Sequence, residues 1–120
     1  MKIKDINKLE KIANNIRIGI IEQVYNAQSG HPGGSLSATD ILTVLYFNQM
    51  NIDENKPSAQ ERDRFILSKG HCSPALYATL AEKGYFPKEK LSTFRKFGGE
   101  LQGHPDMKNI RGVDMSTGSL

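Results

Sequence analysis

The sequence predicts an α/β fold, with a parallel sheet flanked by helices and incomplete within this chain. Three observations carry that reading. Apolar residues recur every three or four positions from Ile6 to Val24, the period of a helix with one buried face. Arg64-Phe65-Ile66-Leu67-Ser68 is a short run ending at Lys69-Gly70, and it reads as a strand. Val113-Asp114-Met115-Ser116 reads as a second strand, with helical segments between the two, the order in which a parallel sheet is built. Two short strands are too few to finish such a domain.

The elements follow in order. Asp5 or Asn7 caps the first helix, which runs to about Ala27 on Ile6, Leu9, Ala13, Ile16, Ile20 and Val24. Gly30 lies just past its end, where a helix stop belongs. The turn SGHPGG comes next. Ser37 and Asp40, three apart, suit a capping box, so a second helix is expected from near Ser37 to about Met50. Ile41, Leu42, Val44, Leu45 and Phe47 make it apolar on more than one side, as in a well-buried helix. Residues 51–63 form a polar connection. A third helix starts near Ser73, with Pro74 in its first turn, and stops at Gly84. A short helix from Lys88 to about Lys96 and a glycine-punctuated loop complete the chain.

Composition bounds the class. The chain has 120 residues, room for one modest core, and 38% of them are hydrophobic. No apolar run approaches a membrane span, and the charged N-terminus is no secretory signal. The single cysteine, Cys72, excludes an internal disulfide, and a cytoplasmic protein is expected. The net charge of +3 is spread among interleaved acids and bases, with no basic stripe of the kind that nucleic acids need.

The three histidines share one pattern. His31, His71 and His104 each follow a glycine, in SGHP, KGHC and QGHP. Glycine lets the backbone turn tightly and approach a ligand closely. His71 sits between the predicted strand and the third helix, at the strand end where open α/β sheets bind ligands. A helix N-terminus there favours an anion such as phosphate. Imidazole can donate to phosphate oxygens and move protons near neutral pH. Idle loop histidines and a three-histidine zinc site are the competing readings, although spacings of 40 and 33 residues match no local zinc motif. Cys72 reads as a small buried residue at a helix start rather than a nucleophile.

SGHPGGSLSATDIL, RDRFILSKGHCSPALYATLAEKGYF, LQGHPD and VDMSTGSL occur in order over nearly the whole chain from about Ile12. Together they resemble the start of transketolase, above all the N-terminal subunit of transketolases divided between two polypeptides. Deoxyxylulose phosphate synthase shares the SGH start and is the weaker match.

The resemblance implies that residues 1–120 are the N-terminal portion of a thiamine diphosphate-binding domain. The implied reaction moves a two-carbon ketol unit from a ketose phosphate to an aldose phosphate. It also implies roles. His31 contacts substrate and helps its proton transfers, and His71 lies near the diphosphate and the reacting centre. His104 holds the donor's hydroxyl end. Gly118 and Leu120 belong to the Gly-x-Leu backbone that touches the aminopyrimidine ring. The implied divalent metal, Mg2+ or Ca2+, takes its ligands from a downstream Gly-Asp-Gly motif and a following Asn, neither of which occurs in these residues. The implied partners are sugar phosphates and a C-terminal transketolase subunit or section, in an oligomer. A truncated chain, inactive alone and with exposed apolar surface, is the expectation. A non-enzymatic assembly module is the rival reading.

Overall fold

The computed structural model describes residues 2–119. Three helices carry the fold: α1 (Ile6–Ala27), α2 (Pro32–Val44) and α3 (Ser73–Lys83). A single π turn, Leu45–Gln49, extends α2. A 3₁₀ turn, Gly70–Cys72, leads into α3, and another, Lys88–Thr93, follows it.

Local sequence explains the ends of α1 and α3. The Asp5 carboxylate accepts the Asn7 amide at 2.9 Å, so Asp5 is the cap. Gln28, in the left-handed region at φ 52°, closes the helix, and Gly30 at φ 133° turns the chain after it. Pro74 sits in the first turn of α3, where a missing amide costs nothing. Gly84, at φ 106°, ends that helix by giving its amide to Leu80 and Ala81.

Packing centres on α3, whose residues from Ser73 to Ala81 are all buried. Its small residues permit close approach. A side chain at Gly19 of α1 would stand 3.1 Å from the Ala78 Cβ, so the two helices meet nearly backbone to backbone. Ile16, Ile20, Leu42, Leu76, Leu80 and Leu101 fill the core around that contact. Fully burying one such side chain contributes about 1.5–3 kcal/mol. Buried Gln23 adds a polar stitch, donating to the carbonyls of Gly19 and of Pro74 at 3.1 and 2.9 Å. That bond fixes where α3 begins, and therefore where His71 stands.

Three expectations are corrected. The second helix begins at Pro32 rather than near Ser37, because proline at the first helical position holds the φ a helix needs. Ser37 lies inside it and bonds back to the Gly34 carbonyl at 2.9 Å, while Asp40 pairs with Arg17. The helix is also less buried than its apolar count suggests: Ile41 is 65% exposed, and Ser35, Thr39 and Thr43 occupy the inner face. Finally, no strand forms among the described residues, so the parallel sheet is absent from them. The two segments read as strands do meet, but without a ladder. The amide of Phe65 goes to the Asp114 carboxylate at 2.7 Å, a side chain where a ladder would use a backbone carbonyl. Extended chain becomes a strand only when a neighbour pairs with its backbone.

Candidate functional site

The three glycine-histidine pairs come together. The ring centroids of His31 and His71 lie 4.8 Å apart, edge to face. Those of His71 and His104 are also 4.8 Å apart and edge to face. His71 is the shared neighbour, so residues 73 positions apart in sequence form one chain of imidazoles. All three histidines of these 120 residues therefore meet in one cluster, which scattered loop histidines would not do by sequence position alone.

Each ring is placed by a different device. His31 is the residue just before the first turn of α2, with Pro32 at N1. His71 lies in the 3₁₀ turn that opens α3. His104 lies in a loop stitched to α3 by two buried side chains. Ser73 Oγ donates to the Gly103 carbonyl at 2.7 Å, and the Tyr77 hydroxyl donates to the Gln102 carbonyl at 2.6 Å. Burial pushes the Tyr77 phenol well above its ordinary value of 10.0, which keeps it a donor.

Glycines set the close contacts. A Cβ on Gly34 would stand 2.6 Å from Cys72 Sγ and 3.8 Å from Lys69 Nζ. The first turn of α2 therefore presses against the turn that carries His71. A Cβ on Gly70 would meet the Gly118 carbonyl oxygen at 2.7 Å, so KGH and STGS touch backbone to backbone. Gly118 is thereby beside the histidine chain, whereas Leu120 lies outside the described residues. Cys72 is buried, as a structural residue at a helix start should be.

Among the described residues, five buried side-chain atoms have no hydrogen-bond partner: Gln23 Oε1, Arg62 Nε, and, in or beside the glycine-histidine and STGS motifs, Ser35 Oγ, His104 Nε2 and Thr117 Oγ1. Such atoms cost free energy unless something supplies a hydrogen bond. Together with the glycine contacts and the N-terminal amides of α2, the last three fit a bound polar, anionic cofactor. Among the described residues, no group of three or more histidine, cysteine or acidic side chains is arranged to hold a metal ion.

Sequence reasoning passed over Gln23, Ser73, Tyr77 and Arg95. Arg95 takes a left-handed φ of 57°, gives its amide to Leu101, and reaches Ser29 Oγ with its guanidinium. It thus ties the turn before His31 to the loop before His104. The visible signal was a serine and a tyrosine four apart, and so on one face, in a helix whose first six residues are otherwise apolar.

Comparison with known proteins identifies the family. Residues 8–120 match the family described as "Transketolase, thiamine diphosphate binding domain". The chain is 51% identical over 112 residues to the 6-deoxy-6-sulfo-D-fructose transketolase subunit SqwG of Clostridium sp. (strain MSTE9), covering 93% of this chain and 41% of that protein. It is 43% identical over 115 residues to an apulose-4-phosphate transketolase subunit of Phocaeicola vulgatus, covering 96% of this chain and 41% of that one. Among solved structures, transketolase from Leishmania mexicana superposes with a TM-score of 0.89 at 33% identity, covering 100% of this chain and 18% of its own. The chain therefore spans about two fifths of the length of those subunits and under a fifth of the longer enzyme. The match over residues 8–120, the superposition and the joined glycine-histidine motifs agree, and the chain belongs to the transketolase family.

Proposed function

We propose that this chain forms the N-terminal part of the thiamine diphosphate domain of an enzyme that transfers a two-carbon ketol unit from a ketose phosphate to an aldose phosphate. The observation that carries the proposal is the single chain of His31, His71 and His104. The bound cofactor supplies the nucleophilic carbon and electron sink that cleavage of a ketose C2–C3 bond needs.

The rest belongs to side chains. His31, at the mouth of α2, contacts the sugar and takes or returns a proton at a substrate hydroxyl. His71, central in the chain, faces the diphosphate and the reacting end. His104 holds the donor's terminal hydroxyl through Nε2, which has no partner among the described residues. The Gly118 backbone, pressed against Gly70, would hold the flat ring of the cofactor. The divalent metal would take its ligands from residues outside this set. Two relatives are named as transketolase subunits, which supports a C-terminal transketolase subunit or section as partner, in an oligomeric assembly. The cytoplasm is its place of action on this reading. The two subunit relatives are named for a sulfonated and a phosphorylated sugar, so a ketose with a terminal anion is the substrate class.

The test is to recover the tagged chain with its partner from its own cells. The assembly is then offered xylulose 5-phosphate and ribose 5-phosphate, and separately a sulfonated ketose, with and without thiamine diphosphate. Cofactor-dependent transfer with at least one donor is expected. An intact assembly that transfers from none of them overturns the proposal.

A further inference from the structure

We propose that Ser73 and Tyr77 are positioning residues that hold the His104 imidazole against that of His71. They stand one turn apart on α3, on one face, and both are fully buried. Each donates to a different carbonyl just before His104: Tyr77 to Gln102 and Ser73 to Gly103. The same helix begins directly after the turn that carries His71. One rigid element therefore fixes two rings whose sequence positions are 33 apart.

The loop needs that help. Between Thr93 and His104 it contains Gly98, Gly99 and Gly103, with left-handed backbone at Arg95 and Gly98. Glycine-rich chain has little stiffness of its own. Besides a local Gln102 amide bond to the Glu100 carbonyl, its backbone ties near His104 include the Arg95 amide on Leu101 and the Thr117 amide on Pro105. Those two grip the segment at its ends. The α3 hydroxyls grip its middle, at the two carbonyls that precede His104. The consequence for turnover rests on the ketol-transfer reading above. The consequence for ring geometry does not.

The hydroxyls can be removed without emptying the core, because Tyr77→Phe keeps the ring that packs on Phe94 and Ser73→Ala removes one oxygen. The experiment places Ser73→Ala/Tyr77→Phe in the assembled enzyme, with histidine rings labelled with 13C. The ring signals are assigned by the losses in His31→Ala and His104→Ala. The His104 signal is expected to move while the His31 signal stays. The donor kcat should fall about tenfold or more, with KM within about threefold, since misplaced groups lose rate before affinity. Ser73→Thr, which keeps a hydroxyl, should leave both near native. If the double variant does not assemble, each single variant is read in the same way. A His104 signal unmoved in folded variants overturns the proposal, as does a native kcat in an active enzyme. If the native enzyme transfers nothing, the functional reading fails and the ring signal alone decides the positioning.

Discussion

At the scale of single residues, the site is built where side chains are absent. Gly70 has Gly118 backbone at 2.7 Å from the place its Cβ would occupy. Backbone cannot swing aside as a flexible side chain can, so Gly70→Ala must push the KGH and STGS segments apart. Thiamine diphosphate affinity, measured by calorimetry on the assembled enzyme, should fall about tenfold or more, since a small displacement at a binding site is costly. Native affinity would show that the contact is incidental. Among the histidines the expected effects differ. His104→Ala should lower turnover about a hundredfold while loosening the cofactor little, whereas His71→Ala should weaken cofactor binding directly. Steady-state rates and calorimetry separate the two, and equal effects on both quantities would refute the division of roles.

At the scale of elements, the fold relies on a tie that sequence patterns do not show. Asp114 accepts Arg62 at 2.6 Å and the Phe65 amide at 2.7 Å, with both charged side chains mostly buried. It joins two stretches that would otherwise be loose extended chain. Removing one partner of such a pair strands the other, so Asp114→Ala should cost about 3 kcal/mol. A lower urea midpoint at unchanged slope would show it, and a midpoint within error of native would contradict it. This tie also explains what was legible beforehand. The ends of α1 and α3 depend on neighbouring residues, Asp5, Pro74 and Gly84, and sequence shows those. The start of α2 had two local signals, Pro32 and the Ser37–Asp40 spacing, and the proline prevailed. The two strand readings failed because pairing is a non-local event, and here the Asp114 carboxylate took the place of a ladder. The histidine chain was legible because glycine marked each member. Its support was not, because the acceptors of Ser73 and Tyr77 lie 30 and 25 residues away.

At the scale of the whole molecule, burial shapes both pH response and association. Desolvation raises the Tyr46, Tyr77 and Tyr85 hydroxyls above their ordinary value of 10.0, and the negative Asp114 adds to the effect on Tyr46 and Tyr85. The folded chain then keeps protons that the unfolded chain has lost. That stability is whole below pH 10.0 and is lost as pH rises through the folded values. The urea midpoint should therefore drop above about pH 10, with buried tyrosinate absorbance appearing only as the chain unfolds. Tyrosinate from all three in a folded chain would contradict this. Ile18, Ile21 and Tyr25 lie along one exposed stripe of α1, and Ile41 and Val44 are exposed on α2. Apolar stripes of this kind favour association, so light scattering should find the 120 residues alone above their 13.4 kDa monomer mass, and a clean monomer would argue against it. The most direct measurement is ketol transfer by the tagged chain recovered with its partner, compared with His31→Ala and His104→Ala in the same assembly. Thiamine diphosphate-dependent transfer that both variants lose is the predicted result. An assembly that binds its partner and transfers nothing, or variants that match the native rate, would contradict the assignment of the three histidines to a ketol-transfer site.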